Sequence, residues 1–285
     1  MSLSTVLFLF LAHLGVGIVC TLLFVAREAG VKFFRFNVGL AAILLVIAFA
    51  FYFQSARATV ASAFPNDPEA RVLHVSAAPS ALPLLMCTGL IVFAWATIGR
   101  MFTRFRTGIL VATASAGIIG VVMQGLEFSK GGSPTLVFLT VASFLSSSLL
   151  LGGACTAMIL GHWYLVLPSM DVSYLQSIVG LHIVSMGARI VVVAAAVWFA
   201  IATWRPDLDV GPGFRHYILS IDGIFFWQRV LFGLAGPAVL SYLTWETAKI
   251  RSTQSATGIL YVDFFTVVVG EVLAKYIVLA TRVPV

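Results

Sequence analysis

Eight apolar runs, each long enough to cross a bilayer, constrain this chain more than any other feature. They fall at roughly 4–26, 36–54, 82–99, 107–127, 135–161, 174–203, 219–244 and 256–280. A spanning helix needs about 20 such residues, because no water is present in the hydrocarbon to satisfy backbone N–H and C=O groups. At about 22 residues each the runs consume around 180 of the 285 positions and leave only short connections. The expectation is one transmembrane domain over 1–285, an all-α polytopic integral membrane bundle of about eight helices. The longest connection, about Ser55 to Ser80, holds the turn cluster Pro65-Asn66-Asp67-Pro68, which suits one short surface helix.

Composition closes the competing classes. Only 10% of residues are charged and 60% are hydrophobic, too few charges to clothe a soluble domain of this length. A soluble enzyme, a disordered chain and a disulfide scaffold are excluded. The basic pI of about 9.5 does not indicate nucleic acid, because the Lys and Arg residues sit between apolar runs. The first run lacks a basic leader and a small-residue cleavage site, and Gly17-Ile18-Val19 before Cys20 is a poor lipoprotein box, so it reads as a retained span. Basic residues concentrate in cytoplasmic loops. Arg27, Lys32, Arg35, Arg100, Arg104, Arg106, Lys249 and Arg251 lie on one side, against Arg57, Arg71, Lys130, Arg205, Arg215 and Arg282 on the other. That distribution puts both termini on the non-cytoplasmic side, and the expected location is a bacterial cytoplasmic (inner) membrane, crossed several times.

Cys20, Cys87 and Cys155 lie singly within spans, with no C-x-x-C pair, so no iron–sulfur cluster or zinc site is expected from this chain alone. No P-loop, H-E-x-x-H or nucleophile elbow occurs either. The polar residues inside spans carry the functional signal, because each is costly there. His182 and Arg189 share a stripe of span six, Asp222 and Arg229 repeat that seven-residue offset in span seven, and Glu271 and Lys275 form an i,i+4 pair in span eight beyond Asp263. Counting 1.5 Å per residue, Arg189, Arg229 and Glu271 lie roughly 12–20 Å below the non-cytoplasmic surface, deep enough to meet. Such a set is either helix-to-helix glue or the rim of a quinone pocket or proton path.

Span five carries a second stripe, Ser148, Cys155 and His162, with Gly152-Gly153 allowing close approach of a neighbour. His162 is a candidate quinone-carbonyl donor, interfacial hydrogen bonder or axial haem ligand, while Trp163 and Tyr164 read as interfacial belt residues. A membrane haem b needs two axial ligands. His13, His162 and His182 are the metal ligands available if haem is bound. Gly152-Gly153 and Gly236-Pro237 are also candidate helix breaks.

Ser255-Ala256-Thr257-Gly258-Ile259-Leu260-Tyr261, then Gly270-Glu271 and Lys275-Tyr276, resembles the final helix of the dimethyl sulfoxide reductase membrane-anchor family. The related polysulfide reductase membrane subunits share the eight-helix layout. The resemblance covers that layout and about 60 C-terminal residues. It implies an anchor for iron–sulfur and catalytic subunits, exchanging electrons with menaquinone or ubiquinone, without haem, and with Glu271 and Lys275 as carried-over residues for quinone or proton handling. The expected function is therefore a quinone-interacting membrane subunit of a respiratory oxidoreductase complex. His162, Arg189 and Arg229 would act as donors to quinone, with Asp263, Glu271 and Lys275 as proton-handling groups. A b-type cytochrome subunit with bis-His haem is the near alternative; a secondary transporter, an assembly factor or a structural scaffold is the alternative of another class.

Overall fold

The computed structural model describes residues 3–63, 79–98, 106–167, 170–204 and 213–285, and among them every regular element is helical. The elements are α1 (Leu3–Leu22), α2 (Gly30–Ala63), α3 (Ala81–Thr97), α4 (Arg106–Phe128), α5 (Pro134–Val166), α6 (Val172–Thr203), the short α7 (Phe214–Leu219), α8 (Ile224–Val230), α9 (Gly236–Lys249) and α10 (Thr253–Thr281). Seven helical spans, Ile221–Lys249 counted as one, are long and apolar enough to cross a membrane. A shorter apolar helix, α3, has 17 residues, at the short end of what a bilayer accepts. The chain is a multi-pass membrane bundle. The Pro65–Pro68 cluster, where a short surface helix is expected, lies outside the described residues, as do Arg71, Arg100, Arg104 and Arg205.

Local chemistry sets the ends. Ser133 caps α5 by accepting from Leu136 N–H, with Pro134 at the first helical position, where a missing N–H costs nothing. Asp171 caps α6 through Ser173 N–H at 2.9 Å, and that hydrogen bond holds its carboxyl below the ordinary range. Tyr164, expected in the interfacial belt, is instead turned inward and 2% exposed. Its hydroxyl donates to the Asp171 carbonyl and accepts from Leu175 N–H, clasping the α5–α6 turn.

The helices form two groups of four with the same packing order. In one, α1 packs on α2 and α3 on α4; in the other, α5 packs on α6 and α9 on α10. The first helices of the two groups, α1 and α5, make the main joint between them. Gly17 allows this joint, because any side chain there would overlap the Ser148 carbonyl and the Gly152 backbone. Thr21 seals the crossing with a 2.7 Å hydroxyl contact to Thr156. The Gly152-Gly153 pair is therefore a contact surface within a continuous helix and not a break.

The seventh span does break. A π turn, Leu231–Ala235, separates α8 from α9 just before Gly236-Pro237. Pro237 has no N–H to offer the Gly233 carbonyl one turn back, and Arg229 Nη1 takes its place at 2.7 Å. Gly233 then meets Gly270 of α10 backbone to backbone. Asp222, expected within this span, sits exposed in a 3₁₀ turn at its start.

Candidate functional site: a three-layer polar column

Polar side chains of α1, α5, α6, α8 and α10 gather in three layers. The first is centred on Glu271, fully buried on α10. Arg189 of α6 approaches it side-on, Nε to Oε1 at 2.9 Å and Nη2 to Oε2 at 3.2 Å. Arg229 Nη2 reaches Oε1 at 2.8 Å. Both arginines are 0% exposed. Arg189 also donates from Nη1 to the Ser143 hydroxyl at 2.7 Å and from Nη2 to the Val285 carbonyl at 3.0 Å.

Lys275 is less intimate with Glu271 than i,i+4 spacing suggests, its Nζ lying 3.8 Å from Oε2. Its closer partner is Ser147, which sequence reasoning did not single out. Ser147 Oγ accepts from Lys275 Nζ at 2.7 Å and donates to Glu271 Oε2 at 2.5 Å. His13 Nδ1 approaches the same oxygen at 3.4 Å. The hydroxyl's single proton is committed to Glu271, so His13 Nδ1 is the donor, and its Nε2 is left as an acceptor. Glu271, Arg189, Arg229, Lys275 and His13 thus converge as one site through a serine. Their formal charges are three positive against one negative, with burial removing the water that would screen them.

Going down α5 as a ruler, Gly153 lies about 9 Å below Ser147 and His162 about 14 Å further. At the Gly153 level stands the second layer, His182 Nε2 and Asp263 Oδ2 at 2.7 Å, both 0% exposed. The ring N–H does not point along the carboxylate, so this is a close polar contact without hydrogen-bond alignment. Gly153 makes room: a β-carbon there would already touch His182 Nδ1 at 3.4 Å. Asp263 therefore belongs with His182, a separate layer from Glu271 and Lys275.

The third layer is His162 with Tyr261, Nδ1 to Oη at 3.0 Å. The pair, itself exposed, is the polar part of the lining of an otherwise apolar cleft of about 380 Å³ between α1, α2, α5 and α10, walled by Leu14, Leu40, Cys155 and Phe264. Phe36 and Tyr261 at its side are 56% and 45% exposed, so the cleft opens laterally. Of the stripe expected on α5, Cys155 and His162 line this cleft, whereas Ser148 packs against Gly17 and returns its hydroxyl to the Phe144 carbonyl.

The three histidines stand in three separate settings, so among the described residues no facing pair is presented to a haem iron. Nor do three His, Cys, Asp or Glu side chains gather there as a metal-binding set. The cysteines are free and buried. Tyr261 and Ser147 carried little sequence signal: a Tyr near a span end reads as belt, and Ser147 sits inside the run Ser146-Ser147-Ser148. No family model, no curated protein and no solved structure matches this chain.

Proposed function

We propose that this chain is a quinone-interacting membrane subunit of a respiratory oxidoreductase complex in a bacterial cytoplasmic membrane. One observation carries the reading: a laterally open apolar cleft whose polar lining is a hydrogen-bonded His–Tyr pair. A quinone presents the same division, an isoprenoid chain that belongs with lipid and carbonyls that need donors. The hydrogen-bonded His162–Tyr261 pair keeps one proton free to donate at the polar end, while Leu40, Leu44 and Met158 supply the apolar wall for a tail. Bound there, menaquinone or ubiquinone would supply two-electron chemistry that no side chain of the bundle provides. His162 accepts or returns the proton that the carbonyl oxygen exchanges, and Tyr261 fixes the orientation of its ring. Iron–sulfur and catalytic subunits are the expected electron partners, and the distribution of basic residues puts both termini on the non-cytoplasmic side.

Titration of the purified protein with a short-chain ubiquinone or menaquinone, read by quenching of tryptophan fluorescence, tests the reading. Loss of one hydrogen bond of about 1.4 kcal/mol corresponds to a tenfold change in Kd. The double variant His162→Ala/Tyr261→Phe is therefore expected to bind at least about tenfold more weakly. Unchanged affinity in that variant refutes the site. A b-type band in the reduced optical spectrum would instead mark the cytochrome form.

A secondary transporter is favoured by one observation, the π break beside buried Arg229, since transporters place interrupted helices at their substrate sites. Solute uptake into proteoliposomes without any quinone effect would select it.

A further inference from the structure

A second cavity, about 430 Å³, opens at the bundle end where α4 turns into α5 and α10 finishes. Its polar rim includes Glu127, Lys130 and Arg282, and its floor includes Phe128, Thr140 and Val278. Glu127 is held by Ser80, whose N–H and hydroxyl reach it at 2.7 and 2.9 Å. Lys130 and Arg282 are exposed.

This vestibule stands directly above the first polar layer. Along α10, Val278 is one turn from Lys275; along α5, Thr140 is one turn from Ser143 and two from Ser147. Two rings lie between the cavity and the layer. Phe128 lies 5.6 Å from Phe144, and Phe144 lies 4.9 Å from the His13 ring and 5.1 Å from Lys275 Nζ. Beneath Phe128, one turn back on α4, Gln124 is 1% exposed and lies beside His13. Gln124 and His13 are close enough to pair, yet no aligned hydrogen bond reaches either Gln124 amide atom or His13 Nε2 among the described residues. Buried polar atoms of that kind are met by ordered water wherever a water can reach them.

We infer that the vestibule is an aqueous entry to the first layer, partitioned by Phe128 and Phe144, through which Lys275 exchanges protons with the bundle exterior. In the forward step the Lys275 ammonium passes one proton to a vestibule water, which leaves as hydronium. The neutral amine keeps an N–H on Ser147 Oγ, and the layer's formal charge falls by one. The reverse step restores it. Ser147 never loses its own proton to the path, because that proton stays on Oγ, donated in a hydrogen bond to Glu271. The charged and titratable groups facing Lys275 are Glu271 on its own helix, Arg189 on α6, Arg229 on α8 and His13 on α1. The inference holds whatever molecule the lateral cleft binds.

Microsecond X-ray hydroxyl-radical footprinting of the full chain, read by mass spectrometry, tests it, because side chains beside water are oxidised and dry ones are not. Phe144 is expected to be oxidised well above Phe33, which is equally buried but distant from the vestibule. Thr140→Trp, which fills the vestibule, is expected to lower the Phe144 rate and slow hydrogen exchange of 15N-labelled Lys275, leaving Phe33 unchanged. A Phe144 as silent as Phe33 in the unmodified protein overturns the inference without recourse to any variant. Fast Lys275 exchange that Thr140→Trp leaves unaltered overturns the route.

Discussion

Glu271→Gln removes a charge while keeping the shape of the side chain, and its cost follows from the first layer. In the native protein one carboxylate faces two guanidiniums at 2.8–2.9 Å and an ammonium at 3.8 Å, all buried. A glutamine leaves three cations without their central carboxylate, and removing one partner of a buried ion pair costs about 3–5 kcal/mol. Hydrogen bonding softens this little, because an amide oxygen can accept from one arginine while its NH₂ group faces the other donors. The suitable assay is SDS-driven unfolding in mixed micelles, followed by helicity, with wild type and variant compared at equal detergent fraction. Lys275→Met in the Glu271→Gln background withdraws one of the stranded cations and should recover part of the loss, with a coupling of about 0.5–3 kcal/mol between the two sites. A loss below about 1 kcal/mol for Glu271→Gln alone, or strict additivity with Lys275→Met, would falsify the view that this carboxylate neutralises the layer.

Two further perturbations probe the frame around the column. Gly17→Leu inserts a side chain where the α5 backbone already touches α1, and overpacking of this kind costs about 1–3 kcal/mol; SDS unfolding should show it, and a neutral result would mean that the α1–α5 joint is looser than Gly17 and Gly152 imply. His182→Leu removes the polar neighbour of Asp263 in the second layer and should destabilise by about 1–3 kcal/mol, the cost of a buried polar group left alone, whereas His182→Leu/Asp263→Asn should recover part of it; equal loss in the single and double variants would show that the carboxylate draws nothing from the ring.

The sequence made the spans and the first layer legible, for one physical reason. Hydrocarbon admits so few charges that each one inside a run stands out, and helical rise converts its position into a depth. Arg189, Arg229, Glu271 and Lys275 could be set at one level in this way. Depth, however, does not give rotation. The stripe drawn on α5 passed through Ser148, yet the residue that joins the layer is Ser147, one position and about 100° away. Ser146 and Ser148 return their hydroxyls to carbonyls of their own helix, as serines in apolar helices commonly do, and periodicity cannot say which of the three looks toward α10. What decides it is a contact between other helices. Gly17 and Gly152 bring α1 and α5 together on one azimuth, which leaves Ser147 between His13 on one side and Glu271 on the other. The same holds at the seventh span, where the π turn and the Gly233–Gly270 contact aim Arg229 at Glu271 across helices. Glycines with no chemistry of their own therefore set the rotation of the polar column. By this logic Gly17→Leu should do more than loosen the bundle: it should turn Ser147 from Glu271 and leave Lys275 facing Glu271 without a hydroxyl between them.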